Sequence, residues 1–258
     1  MRFFKEAATG MGSYPKAVSF ISTHRLWWYV IIPAIINLLI FFALGTLLWE
    51  FSGMISRWLI DITGVDTLTG TLGTILEWLM AILVKLISFL LYFKFYRYTI
   101  LLLSAPALAL IAEKTQEILT GQSHPFQVKQ LIHDIFRGLA ITLKNLFLEL
   151  LLTIPLYLLA FIPLITPFAG LLVLCIESYF VGFSMIDYRN EFRRLSASQS
   201  RALIRHHRGL AIGNGLAFNL LLIIPFAGVL LAPPLAVVAA GLAANQLIDA
   251  AEEIQVKH

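Results

Sequence analysis

Charge is scarce in this chain. Of its 258 residues 13% are charged, against roughly a quarter in soluble domains, and 59% are hydrophobic. A soluble globular fold is excluded, and an integral membrane protein is expected. Cysteine is scarcer still. Cys175 is the single one, so no disulfide within the chain and no thiolate cluster can form, and packing inside an apolar run is its expected role. Catalytic patterns are missing as well. There is no Walker loop to couple the chain to ATP, no His-Glu-x-x-His, no nucleophile elbow and no Cys/His zinc spacing, so neither an enzyme nor a cofactor or metal site is expected. Met1 to Arg25 mixes charged residues with Gly and Ser and lacks the apolar core and cleavage site of a secretory leader, so the first helix is expected to stay in the mature protein. The net charge of +4, in so apolar a chain, sets topology and meets headgroups. Membrane lipids, not nucleic acid, are the expected partners.

What is present is ordered by charge. Residues 1–25 form an amphipathic arm. Residues 26–49 carry no charge and are long enough to cross a bilayer core of about 30 Å, with Trp27, Trp28, Tyr29 and Trp49 as interfacial anchors. Residues 50–77 hold four carboxylates against Arg57 and several Thr and Gly, and an external loop is expected there. A second spanning helix with an extension, kinked near Pro106, is expected over 78–112, and a cytoplasmic segment over 113–138. A first hairpin follows over 139–187, a basic connector over 188–208, a second hairpin over 209–248, and a tail over 249–258. Seventeen of the nineteen Lys and Arg fall in the N-terminal arm, in Lys94 to Lys144, in Arg189 to Arg208 and in the tail. The positive-inside rule puts those places, and both termini, in the cytoplasm.

The two hairpins repeat each other. Arg137 to Ile141 and Arg208 to Ile212 both read R-G-L-A-I, and P-F-A-G recurs at Pro167 and Pro225. Each copy runs from a basic start through an apolar stretch to a proline break and a second apolar stretch. The arms, about 146–161 and 168–186, then 210–224 and 227–247, are near or below the roughly 20 residues a spanning helix needs, so both hairpins are expected to be half-inserted. The proline tips 162–167 and 225–234 are expected beside other subunits or a pore, because broken backbone must be buried or meet water. Paired broken segments point to a transport site. A helix restarting after Pro167 or Pro225 would present unpaired N–H groups at 168–170 and 226–228, with Gly170 and Gly228 allowing close approach of an anion; the alternative is a plain hairpin turn.

Other polar residues stand out against the apolar background. Lys85 interrupts the second helix, and Glu149 and Glu177 interrupt the arms of the first hairpin. Each has two readings, a pathway group or a paired structural one, and either carboxylate could neutralise Lys85. The connector holds six arginines. Its 196–208 part is expected to be an amphipathic surface helix facing anionic lipid, with an anion vestibule as the alternative. His206 and His207 are adjacent and diverge on a helix, and Gly213 and Gly215 are expected to permit close helix packing.

Four stretches together carry a family resemblance: L-S-A-P-A-L-A-L-I-A-E-K from Leu103, M-I-D-Y-R-N-E from Met185, R-H-H-R-G-L-A-I-G-N-G from Arg205, and I-I-P-F-A-G-V-L-L-A-P-P-L-A-V-V from Ile223. Over about residues 12–247 the chain resembles the CysZ-type sulfate permeases, which share a superfamily with the eukaryotic etoposide-induced membrane proteins. The resemblance implies an all-α polytopic inner-membrane protein with two long transmembrane helices and two half-inserted, proline-tipped hairpins. It also implies a homo-oligomer that admits sulfate, or a similar small oxyanion, for cysteine synthesis. Many such permeases carry a Gly-Leu-Arg step before the first spanning helix, associated with sulfate; the matching residues here are Arg25, Leu26 and Trp27. Arg25 can replace the missing cation from two positions earlier, or serve topology alone. A non-transporting scaffold or lipid-interacting protein is the alternative function.

Overall fold

A computed structural model describes residues 2–68, 70–123, 128–160, 162–224 and 227–249. Nine α-helices lie among them: α1 (Arg2–Thr23), α2 (Trp27–Thr63), α3 (Thr71–Leu103), α4 (Ala105–Thr120), α5 (Val128–Leu159), α6 (Thr166–Phe192), α7 (Ala197–His206), α8 (Arg208–Leu222) and α9 (Ala227–Ala244). A 3₁₀ turn spans Val65–Thr67 and a π-helical turn Asn245–Asp249. No strand occurs among the described residues. Five segments are long and apolar enough to cross a membrane: 27–63, 71–92, 136–159, 166–192 and 230–248. The chain is an all-α polytopic membrane protein.

Residues 38–100 form one compact unit, the rest another. In the smaller, α2 and α3 run antiparallel around a ladder of rings. Tyr92 donates to the Phe41 carbonyl at 2.8 Å and stacks on Tyr96, while Phe41 meets both edge-on. The expected loop over 50–77 is mostly helix. α2 continues past Trp49 to Thr63 and α3 begins at Thr71, because Phe51, Met54, Ile55 and Trp58 prolong the apolar helical pattern beyond Glu50. At 1.5 Å per residue α2 is about 55 Å long, well over a ~30 Å bilayer core.

The larger unit is packed around α8, which lies against α6, α1 and α9. The basic arm is a docked helix, with Ala17 and Ile21 fully buried. Glycine makes this closeness possible. A Cβ on Gly213 would strike the Ala7 backbone, one on Gly215 that of Ser178, and one on Gly182 that of Ala211, so α8 touches α1 and α6 backbone to backbone as its G-N-G step suggests. The second helical stretch does break near Pro106: Ser104 separates α3 from α4, whose first turn accommodates the proline.

The hairpins depart from their expected limits. α5 has 32 residues and α6 has 27, so the first hairpin is not short. Its basic start continues the helix into the polar segment, and α6 runs on through the D-Y-R-N-E sequence. The second hairpin is short, with 15 residues in α8 and 18 in α9. Its tip is narrower than expected, since Pro233 and Pro234 lie inside α9, where burial of Ala232, Leu235 and Ala236 offsets their missing N–H bonds. At the first tip the Thr166 hydroxyl donates to the Ala160 carbonyl at 2.7 Å and caps the end of α5. Pro225, Phe226, Phe161 and the tail from 250 lie outside the described residues.

Candidate functional site

The end of α6 carries most of the buried polar chemistry. Arg137, at the start of the first repeat, grips Asp187 with two nitrogens at 3.0 and 3.1 Å and reaches Glu191 at 3.3 Å. Arg137 and Asp187 are almost wholly buried. The Ser200 hydroxyl of α7 also donates to Asp187, and Asn190 donates to Ser200 at 2.9 Å. Arg189, 2% exposed, donates to Asn190 at 3.1 Å and to Asn245 at 2.7 Å, and Asn245 donates to Gln116 of α4 at 3.2 Å. One polar network thus ties five elements, with Arg137 and Arg189 balanced by Asp187 and Glu191. Arg189 had been expected in the basic connector; it is interior because α6 extends to Phe192. The D-Y dipeptide signalled Asp187, but its partner fifty residues away had no local signal.

A second polar feature lies deeper in the hairpin. Asn145, Glu149 and Thr153 are all buried on α5, spaced by four residues and so on one face, within an otherwise apolar run. The amide nitrogen of Asn145 has no hydrogen-bond partner among the described residues. Glu149 alone drew notice in the sequence; reading the four-residue spacing would have found the stripe. Glu177, on α6, accepts from the Tyr157 hydroxyl at 2.9 Å.

The remaining candidates are scattered. Lys85, in the smaller unit, sits 4.5 Å over the Trp49 ring, level with the end of the charge-free stretch of α2. Its contact is a cation–π pair. Arg25 occupies the turn between α1 and α2 with φ +56°, where Leu26 N–H bonds the Ile21 carbonyl and Arg25 N–H bonds that of Ser22. This is a Schellman cap, whose left-handed position favours glycine. The guanidinium is exposed and has no polar partner among the described residues. Gly170 faces open space, whereas Gly228 is pressed on the Leu221 backbone. Two of the N–H groups expected to be unpaired there are in use: Ala169 donates to the Ile165 carbonyl and Gly228 to that of Ile224, both at 2.9 Å.

α1 is held by a charged clamp. Buried Glu6 accepts from Arg2 at 2.9 Å and lies 2.9 Å from Nδ1 of His207, at the junction of α7 and α8. Burial is the largest influence on His207 and lowers its pKa, opposed by the hydrogen bond to Glu6. His206 is exposed, and its ring meets that of His207 edge-on, with the centroids 5.1 Å apart, closer than divergence along a helix suggests. α7 itself opens with a capping box between Ser196 and Gln199.

A multi-helix membrane protein whose buried polar groups line up along and between its apolar helices belongs, as a class, with membrane transport proteins. The chain belongs to the family described as Sulfate transporter CysZ/Etoposide-induced protein 2.4, which matches residues 13–233. It is 30% identical over 213 residues to a protein of Pseudomonas fluorescens named Sulfate transporter CysZ, covering 80% of each chain. A Vibrio parahaemolyticus protein of the same name is 24% identical over 238 residues, covering 90% of this chain and 93% of its own.

Proposed function

We propose that this protein is a permease for sulfate, or a closely similar oxyanion, in the bacterial inner membrane, with both termini cytoplasmic. It works as a homo-oligomer among membrane lipids and feeds sulfur assimilation. Membership of the CysZ family supports the substrate. The buried Asn145, Glu149 and Thr153 face supports conduction over a scaffold role, since polar side chains inside a membrane helix are expensive and mark pathways. Arg25, set where the related permeases carry Gly-Leu-Arg, is proposed as the first cation to meet the anion. Lys85, Gly170 and Gly228 are proposed as secondary points along the route. Gly228 would act through close packing and not as a free donor. Radiolabelled sulfate uptake into liposomes holding only the purified protein tests the reading. Uptake well above empty liposomes is expected, with Asn145→Leu lowering it; equal uptake with and without protein would favour the scaffold.

A further inference from the structure

α1 has three sides. Glu6, Ser13, Ala17 and Ile21 are buried on the one that packs against α8 and α9. Phe4, Met11 and Val18 recur at every seventh residue, so they share one line on the helix, and all three side chains are exposed, Phe4 to 76%. Lys5 and Lys16 share a third line and are exposed as well. With 3.6 residues per turn the three lines lie roughly 120° apart.

A helix docked by one side and facing water with the rest would carry polar side chains where Phe4, Met11 and Val18 stand. The Ser22 hydroxyl beside that line turns back to the Val18 carbonyl at 2.9 Å, so it needs no water. Both ends of α1 are fixed at one face of the membrane. Its start is tied through Glu6 to His207, beside the basic connector predicted to be cytoplasmic. Its end turns directly into exposed Trp27 and Trp28, the interfacial anchors at the same predicted face. A 22-residue helix, about 33 Å long, with both ends at one face lies along that face. Charge agrees. Residues 1–25 hold a single carboxylate, Glu6, which is buried and paired with Arg2. The Lys5 ammonium has no polar partner among the described residues, and Lys16 reaches the uncharged Gln246 at 3.2 Å. By contrast α7 exposes Ser198, Gln199, Arg205 and His206 but no large apolar side chain.

We propose that α1 is an interfacial helix that binds the anionic lipid surface of the cytoplasmic leaflet. The Phe4, Met11 and Val18 line enters the boundary between headgroups and acyl chains, and Lys5 and Lys16 lie against the phosphates of anionic lipids. Recognition comes from an apolar line and a cationic line side by side on one helix. The third side covers α8 backbone against backbone at Gly209 and Gly213, so lipid that holds α1 down also holds the second hairpin in place. The inference rests on the seat of α1 and stands whether or not sulfate crosses the membrane.

Single nitroxide labels on the full chain test it, placed by Met11→Cys, Val18→Cys or Thr9→Cys in a Cys175→Ser background, in nanodiscs of phosphatidylglycerol and phosphatidylcholine. Labels at Met11 and Val18 should collide more readily with oxygen than with a water-soluble nickel complex, and the label at Thr9, near the lysine line, should show the reverse. A bimane at Met11→Cys should be quenched about twofold or more in excess by brominated phosphatidylglycerol over brominated phosphatidylcholine, as lysines at a charged surface require. Lys5→Gln with Lys16→Gln should remove that excess. Met11 and Val18 labels as open to the nickel complex as Thr9 would put this side in water. Labels shielded from both reagents would put it under another part of the chain or a second copy. Equal quenching by the two lipids, or an excess kept by the double variant, would deny the lysines their role. Each of these results overturns the proposal.

Discussion

Arg25 and Arg194 share an unusual situation: each is the left-handed residue of a Schellman cap, each with a guanidinium in place of glycine's missing side chain. For Arg25 the resemblance to permeases with a Gly-Leu-Arg step supplies a comparison, since that step, matched to Arg25, Leu26 and Trp27, would put glycine where this backbone favours one and arginine where Trp27 stands. Arg25→Gly should leave the melting temperature unchanged or raise it slightly, because about 1 kcal/mol of backbone strain is relieved and offset in part by the freer unfolded chain. Sulfate uptake into liposomes should fall in the same variant. Adding Trp27→Arg should bring it back, and failure of the pair to recover uptake would return Arg25 to a purely topological role.

His207 is the other residue with a testable chemistry. Its imidazole is held below the ordinary value by burial, against Glu6, with the charges of Arg2 and His206 lowering it further. A folded form that accepts the proton later than the unfolded chain loses stability as pH falls through the ordinary value. The seat of α1 is therefore undisturbed above about pH 7 and weakens below the unperturbed imidazole value of about 6.5. Melting temperatures measured from about pH 7.5 to about pH 5.5 should fall more for the natural protein than for His207→Asn. Parallel curves would show that His207 is uncoupled from the fold.

At the scale of elements, the two R-G-L-A-I copies turn out to have different work. Gly138 faces open space on α5, whereas a Cβ on Gly209 would sit 2.5 Å from the Phe3 carbonyl of α1 and 3.0 Å from Glu6. Gly138→Ala should stabilise the helix by up to about 1 kcal/mol, the ordinary propensity difference. Gly209→Ala should destabilise by about 1–3 kcal/mol, as overpacking does, because a backbone cannot step aside as a side chain can. Thermal melts of the two alanine variants in detergent separate these outcomes, and equal shifts would contradict the packing. The arginines diverge as well: Arg137 is buried on Asp187, while Arg208 opens α8. Asp187→Asn removes one partner of a buried ion pair and is expected to cost about 3–5 kcal/mol, read as a loss of melting temperature. A loss under about 1 kcal/mol, the range of exposed pairs, would show that the network is not holding α5 to α6.

For the whole molecule, the charge distribution predicts which ends of the helices face the cytoplasm. Single cysteines at Leu68, Gln122 and Ser198, in a Cys175→Ser background, lie in or beside exposed turns. Only Leu68 should react with an impermeant thiol reagent added from outside. Outside labelling of Gln122 and Ser198 instead would invert the topology.

Composition and charge alone determined the class: an apolar, charge-poor chain can only be a membrane protein, and where Lys and Arg fall divides it into spans and connectors. Local chemistry also marked the kink near Pro106 and the packing role of Gly213 and Gly215. These were legible because hydropathy, proline and glycine act over a few residues. The lengths of α2, α5 and α6 were not, since an isolated carboxylate or arginine looks like a helix end until its partner is known. Only the tertiary structure paired Arg137 with Asp187, and Glu6 with His207, two residues 201 positions apart. It alone decided that Arg189 is interior, because the burial of a polar side chain depends on what another part of the chain brings to it.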